Sequence, residues 1–598
     1  AMPTDDPVSI SLSEMQNLSL NKIEQSFAQL DQLIGPFSEA SNAWAISGKR
    51  TVSGKPILAN DPHLGFSIPI LWYLARIETP EQSLIGATVP GMPFHILGQN
   101  KNIAWGLTTT SGDTADLYIE KLDPKNSNQY LTPAGLKPFK SRTEIIQVSN
   151  HEPVEFTVRE TRHGPVVSNL FLKSTAGRPT VLSFKATFLA DHDQTPAAIY
   201  HLNRAKDWPT FLQALELFHA PQQNIMYADS IGHGEGNIGL VAAGRMPVRR
   251  HGQGWWPQAG WRKENDWPGY IPFNELPKTL NPPSGIIVNA NNRIVDQQYP
   301  YYLSDDFAPG YRAARILQEL NRTDKQIGKQ SVDSSARLQR DEVSLMAQKI
   351  LPLMIGKLLT ASLSPHLSTT AQSALVILKK WRGKMTIDSP APLIFNAWLR
   401  ELIRTIAADE LGPHFRRYWY VRSHFIRLVL TQKKFWCDNI DTLTQVETCE
   451  HSTQTALEKS LTHLKTKFGD SMHAWRWGNA HQVEFNHVIF GRIPIIQNLL
   501  NQSIETGGGH FTVNKGAYRY RDENKSFTNI HGPGYRGIYD LADSRRSRFM
   551  IATGQSGNPL SPLYNNFMDA WQRGKSIILN SSKENLIKSH RGIIQFVP

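Results

Sequence analysis

The chain is short of several features that assign a class early. It has two cysteines in 598 residues, Cys437 and Cys449. They lie in FWCDNIDTLTQVETCE with no CxxC or CxxH spacing, which disfavours a structural zinc site and leaves one local disulfide or two free thiols. Charged residues make up only 19% of the chain while hydrophobic ones reach 40%, so disorder is excluded as the main state. No stretch approaches the ~20 apolar residues of a membrane span. The first residues, AMPTDDPVSI, are acidic and lack the apolar core of a signal peptide. There is no GxSxG elbow, no HExxH and no P-loop, which disfavours a standard α/β-hydrolase, a zinc protease and a P-loop nucleotide enzyme. Internal repeats and low-complexity tracts are missing as well.

What the chain has is aromatic bulk, with 15 Trp, 17 Tyr and 25 Phe. That points to large packed interiors or a carved ligand pocket. The net charge is +12. Lys and Arg are scattered, and the densest short cluster, Arg245 to Arg250, holds three Arg around a Pro. This reads as a solvated surface rather than a nucleic-acid footprint.

The periodicities change along the chain. Residues Leu12 to Leu33 read as an amphipathic helix. NAWAISG and KPILAND flank a turn-rich segment and read as a hairpin. Strand-like segments continue through SLIGATV, NIAWGLTT, ADLYIEKL, EIIQVS, VEFTVRE and TVLSFKAT. Residues 193–217 read as helical, and NIMYADS, NIGLVAAG and GIIVNANN as strands. From 310 to 470 apolar residues recur at i, i+3 and i+4, hence helices. Strands are expected again at FTVNKGAYRY, GIYDLA and SRFMIATG. Strands, helices, strands suggests one α+β core with a large helical insertion. Gly234, Gly236 and Gly239 match GxGxxG but lead into LVAAGRMPVRR, which does not open a helix. They read as a glycine-rich hairpin. The run Gly507 to Gly509 reads as a loop or turn.

Several segments stand out by order and spacing: SNAW at Ser41, ANDPHL through His63, WGLTTTSGDTAD from Trp105, YADS with GNIG, VNANN, GYRAARI, WRWGNAH and TGQSGNPLSPLY. From residue 41 to the end the chain resembles the penicillin acylase family of N-terminal nucleophile (Ntn) hydrolases. The resemblance implies a four-layer αββα core, two stacked antiparallel sheets flanked by helices, with a helical insertion. It divides the chain into 1–40, a remnant of the α chain and spacer; 41–312, the first part of the β-chain core; 313–475, mainly helical; and 476–598, the rest of the core.

The resemblance further implies a precursor that cleaves itself before Ser41. A serine hydroxyl needs a base, and a freed α-amine with a pKa near 7.7–8 suits that task. The oxyanion donors would be the backbone N–H of Thr109 and the side-chain amide of Asn291, with Asn289 and Asn292 as rivals for that role. His63 would position and hydrogen-bond Ser41, and Arg312 would hold the asparagine and the substrate side of the pocket. Trp72 and Phe94 are candidate acyl-pocket residues. Asp113, the carbonyl of Ala115 and Asp116 match part of a structural calcium site, with Asp305 or Asp306 as a later ligand. Taken singly, each residue has a plainer reading: a strand-start Ser, a turn-capping His, a helix-face Arg, turn aspartates.

The expected activity is hydrolysis of a linear amide through a serine acyl-enzyme. Candidate substrates are β-lactam side-chain amides, N-acyl homoserine lactones (quorum-quenching chemistry) or acylated peptides, with no catalytic cofactor. Only 40 residues precede Ser41, fewer than the family's α chain and spacer, so a separate or missing α chain is expected as partner. A periplasmic or secreted location, one where a Cys437–Cys449 disulfide persists, fits. The rival is a non-processing homologue that binds amphiphilic or anionic envelope material.

Overall fold

Strand Ala40–Ile46 pairs antiparallel with Ile57–Gly65, in register Ser41 to Pro62 and Ala43 to Asn60. In this computed structural model, which describes residues 40–168, 179–231, 234–322, 328–359, 367–579, 583–590 and 592–595, that pair lies inside an antiparallel sheet. Its path runs Ile286–Asn289, Ala40–Ile46, Ile57–Gly65, Tyr535–Asp540, Arg548–Ile551, and His531–Pro533 pairs with the end of Ile57–Gly65. A second antiparallel sheet runs Lys278–Leu280, Ile238–Ala243, Gln223–Asp229, Ile103–Thr109, Leu97–Gln99, Ser83–Thr88, Tyr73–Glu78. The helix expected over Leu12 to Leu33 lies outside the described residues.

Alternation along a strand sends successive side chains to opposite faces. Ala43, Ala45 and Leu58 therefore join Ala104, Met226, Ala228, Ile238 and Leu240 of the second sheet in one buried cluster. The small alanines let the two sheets approach closely. The opposite face of the first sheet presents Trp44, Ile46, Ile57, Ala59 and Ile538. It packs on Ala313, Ile316 and Leu320 of helix Tyr311–Leu320 and on Leu338 of helix Val332–Gln339. The outer face of the second sheet presents Ile103, Trp105, Ile225, Tyr227 and Val241 to Leu202, Phe211 and Leu215. These come from helices Thr195–Leu202 and Trp208–Glu216, the latter capped by Asp207. Burying a large apolar side chain contributes about 1.5–3 kcal/mol, so these faces supply most of the cohesion around the hairpin that bears Ser41.

The helical stretch has its own core. Helix Ala391–Leu411 packs on Cys449–Phe468, and Leu393, Phe395, Trp398, Leu402, Leu457 and Leu461 are buried together. A disulfide joins Cys437 to Cys449.

Two sequence readings meet different outcomes. GEGNIG does bridge an antiparallel pair, Gln223–Asp229 with Ile238–Ala243, and Gly234 and Gly236 take positive φ angles of 74° and 76°. FTVNKGAYRY is not a strand: it makes only isolated bridges, such as Ala517 with His531. The reason is local. Thr512 Oγ1 accepts from Gly509 N at 2.8 Å and donates to the Asn514 carbonyl, giving the backbone a partner other than a ladder.

Candidate active site

Ser41 is 5% exposed, and alternation points its side chain with Ala43 into the space between the sheets. Its backbone nitrogen donates to Asn291 Oδ1 at 2.7 Å. Asn291 follows strand Ile286–Asn289, which pairs with Ala40–Ile46, so the two loops meet at one end of the sheet. Asn291 adopts a left-handed φ of 64°, a conformation Asn tolerates better than most residues. Its backbone N–H is held by Asn289 Oδ1 at 2.9 Å, and Asn289 Oδ1 also accepts from Thr108 Oγ1 at 2.6 Å. Asn292 faces elsewhere and accepts from Ala290 N. The asparagine run thus separates into three tasks, and Asn291 is the one that touches Ser41.

Arg312 locks this corner. It stands near the start of helix Tyr311–Leu320, on the buried stripe with Ala313 and Ile316. Its Nη1 donates to the Ser41 carbonyl and to Asn42 Oδ1, both at 2.7 Å. Its Nη2 donates to the Ala290 carbonyl at 2.7 Å and to Asn291 Oδ1 at 3.0 Å. The planar fork of guanidinium suits such a four-way anchor, and lysine has no equivalent. Burial lowers the Arg312 pKa to about 10, so the group stays charged at neutral pH.

Two donors on Asn291 Oδ1 fix which end of the amide is oxygen. Its Nδ2 donates to the Thr109 carbonyl at 3.0 Å, the last residue of strand Ile103–Thr109. Ser41, Thr109, Asn291 and Arg312, singled out from sequence, are therefore brought together.

His63 stands in register with Ala40, one position from Ser41. Its imidazole does not turn to Ser41. Asp61 and His63 alternate with Pro62, so their side chains lie on the Asn42 face of the hairpin. His63 Nε2 is 2.8 Å from Asp61 Oδ2, and Asn42 Nδ2 donates to Asp61 Oδ2 at 2.9 Å. Burial pushes the Asp61 carboxyl up, against the nearby Arg536 and Arg312, and pushes the His63 imidazole down. Both shifts favour a net-neutral pair. Asn42 and Asp61 were not singled out from sequence, and Asn289 only as a rival to Asn291, yet a polar residue inside an otherwise apolar strand was the available signal.

The two acyl-pocket candidates lie in different surroundings. Trp72 is buried in the inter-sheet core, its ring 5.9 Å from that of Tyr535. Phe94 makes an edge contact with Tyr200 at 6.3 Å, from helix Thr195–Leu202 on the outer face of the second sheet.

Residues 6–588 match the penicillin amidase family. The chain belongs to that family. Among related proteins, an acyl-homoserine lactone acylase QuiP from Pseudomonas aeruginosa is 29% identical over 92% of this chain and 67% of its own length. The penicillin acylase 2 proenzyme of Pseudomonas sp. strain SE83 is 28% identical over 88% of this chain and 65% of its own length. A solved structure, a thermostable penicillin G acylase from Alcaligenes faecalis, matches with a TM-score of 0.70 at 20% identity. It covers 93% of this chain and 99% of that one, and speaks for the fold. As a penicillin amidase family member the protein is an amide-hydrolysing acylase.

The calcium ligands expected in this penicillin amidase relative do not fit a metal ion. Arg249 occupies the position between them. Its Nε donates to Asp116 Oδ2 at 2.9 Å, and its Nη2 donates to Asp113 Oδ1 at 3.1 Å and to the Asp113 carbonyl at 3.3 Å. Trp267 Nε1 takes a further lone pair of Asp116 at 2.5 Å. Gly254, at φ 75°, leaves room for this: a Cβ there would stand 2.1 Å from Asp116 Oδ1. Asp305 faces Arg293 at 3.6 Å, and Asp306 N donates to Ser304 Oγ. Among the described residues no group of three or more His, Cys, Asp or Glu is placed to hold a metal.

Proposed function

We propose that the chain is a self-processing acylase that cleaves its Ala40–Ser41 bond and then hydrolyses a linear amide with Ser41. The observation that carries this reading is the hydrogen bond from Ser41 N to Asn291 Oδ1 at 2.7 Å. After cleavage that nitrogen is an α-amine, held in place and beside its own hydroxyl. Ser41 Oγ attacks the substrate carbonyl carbon, and its proton passes through a water to the amine. The oxyanion is met by the Thr109 backbone N–H and by Asn291 Nδ2, whose second hydrogen is not the one given to the Thr109 carbonyl. The C–N bond breaks, the amine product leaves with a proton, and water then releases the acid from the seryl ester.

The stacked sheets and their outer helices make up the four-layer αββα Ntn core on this reading. His63, with Asp61 and Asn42, acts on the nucleophile through the hairpin backbone rather than by touching its hydroxyl. The substrate is a small N-acyl compound, and the names of the relatives favour N-acyl homoserine lactones or β-lactam side chains. An α chain completes the heterodimer, and the location is extracytoplasmic, which the Cys437–Cys449 disulfide supports. No helix among the described residues is long and apolar enough to cross a membrane.

The test is N-terminal sequencing and mass measurement of purified protein, with an acyl-chain-length series read as kcat/KM. A new chain beginning at Ser41 is expected, and Ser41→Ala abolishes both processing and hydrolysis. Hydrolysis retained by Ser41→Ala overturns the assignment.

A further inference from the structure

Strand Tyr535–Asp540 turns Tyr535 and Tyr539 toward the inter-sheet core and Arg536 and Ile538 to the opposite face, away from the side chain of Ser41. There Arg536 lines a cavity of about 310 Å³ together with Lys515, Arg340, Arg573, Glu342 and Asn514. Arg536 and Lys515 are buried, at 9% and 8% exposure, and form its floor; Arg340 and Arg573 are exposed at its rim.

No carboxylate is in ion-pair contact with these four cations among the described residues; Asp61, whose charge reaches Arg536, is hydrogen-bonded to His63 and Asn42. Arg536 Nη1 donates to the Trp571 carbonyl at 2.9 Å and Nη2 to Asn514 Oδ1 at 3.0 Å, both neutral acceptors, while its Nε is buried with no partner. Among the described residues, none of the four makes an ion pair; the carboxylates along the same cavity are otherwise engaged. Asp388 is held by Arg476 at 2.7 Å. Burial raises the Glu342 pKa to about 7, so it is only partly ionised at neutral pH. Burial, with the charge of Arg312, holds the Lys515 amine well below its ordinary value, as expected of a cation without an anion. Two other buried arginines are matched, Arg249 by Asp113 and Asp116 and Arg400 by Glu401, while Arg312 gives four hydrogen bonds to neutral oxygens. A buried cation left unpaired is costly, and a cavity lined by several of them invites an anion to complete the set.

We propose that this cavity binds a small diffusible oxyanion of the phosphate or sulfate type. The Arg536 Nε and Lys515 Nζ groups are its inner donors, and the Arg340 and Arg573 guanidinium groups are its outer ones. A tetrahedral oxyanion has enough acceptors for all four, and charge-assisted bonds of this kind are the strong ones. The site lies across the first sheet from the reacting hydroxyl and is independent of the acylase reading.

Calorimetric titration of the full chain with inorganic phosphate, at ionic strength fixed with chloride, tests it. One saturable site is expected. Arg573→Gln and Arg340→Gln, both at exposed positions, should each weaken binding about tenfold while the thermal midpoint without phosphate stays put. Phosphate should also raise the midpoint of the parent and less that of either variant. The proposal is overturned if phosphate gives no saturable heat, or if its affinity is the same in both rim variants as in the parent.

Discussion

The amide of Asn291 joins the backbone nitrogen of Ser41 to the carbonyl of Thr109, with its oxygen on the first at 2.7 Å and its nitrogen on the second at 3.0 Å. One side chain thus ties the strand of Ser41 to the strand that, on the proposed mechanism, would supply the other oxyanion donor. Removing one such donor typically costs about 3–4 kcal/mol of transition-state stabilisation. Asn291→Gly, which keeps the left-handed backbone available, should therefore lower kcat by roughly 10²–10³-fold while KM changes far less. A loss confined to KM would show that the amide binds substrate rather than transition state.

Arg312 places a fixed positive charge against the Ser41 nitrogen through Asn291 and the Ser41 carbonyl. If cleavage frees an α-amine at Ser41 as proposed, its ammonium would be the inactive form, and the nearby Arg312 cation would disfavour it and hold the amine pKa below its free value of about 7.7–8. Arg312→Gln removes the charge. The acid limb of the kcat/KM profile should then move to higher pH, together with a drop in rate from lost anchoring. An unmoved limb would separate the base from this nitrogen.

His481 and His510 set an acid limit on stability. His481 is buried and His510 partly buried, and desolvation holds their pKa values at about 4 and about 3. His481 stacks on Trp477 at 4.4 Å, gives its Nδ1 hydrogen to the Phe527 carbonyl, and packs Nε2 against Gly516. The unfolded imidazole titrates near 6.5, so below that pH the unfolded state binds protons that the fold refuses. Stability contributed by His481 is present above about pH 6.5 and is lost as pH falls toward 4, on the order of 3 kcal/mol in all. Glu342, raised to about 7, opposes this by favouring the fold at lower pH. The difference between parent and His481→Gln isolates the histidine: the variant's denaturation midpoint should fall less steeply between pH 6.5 and 4. Parallel pH profiles would mean that His481 is charged in the fold.

The parts of this site that were legible in sequence are those whose chemistry depends on chain order. Ser41 lies at the head of a hairpin strand, Thr109 ends a strand, Asn291 follows one and Arg312 opens a helix, and the ordered resemblance of the segments around them to penicillin acylases singled out all four. Positions defined by which face a side chain takes were not legible in the same way. His63 was expected on Ser41, yet strand alternation sends it to Asp61 and Asn42. Phe94 was expected at an acyl pocket from its place in a loop, and its ring meets Tyr200 of a distant helix, a contact that chain order does not reveal. Asn42, Asp61 and Asn289 gain meaning only when strands far apart in sequence close on one another. The FTVNKGAYRY segment failed for a different reason, because the Thr512 hydroxyl outcompetes a ladder that its alternating pattern suggests.

Arg249 carries the sharpest contrast between pattern and structure. Asp113 and Asp116 match a calcium-binding spacing, but the guanidinium supplies the positive charge from within, and its side chain is only 6% exposed. The parent protein should therefore keep the same thermal midpoint in EDTA and in millimolar calcium. Arg249→Ala leaves two neighbouring carboxylates facing each other across the vacated space. Breaking a buried pair in this way typically costs about 3–5 kcal/mol, so the midpoint should fall by several degrees. Hard oxygen donors suit calcium, and Asp113, Asp116 and the Asp113 carbonyl are then exposed to it, so added calcium should recover part of the loss in the variant and none in the parent. Magnesium, which holds its waters and demands a tighter octahedron, should recover less. A parent protein that loses stability in EDTA would show that a metal, not Arg249, balances these aspartates.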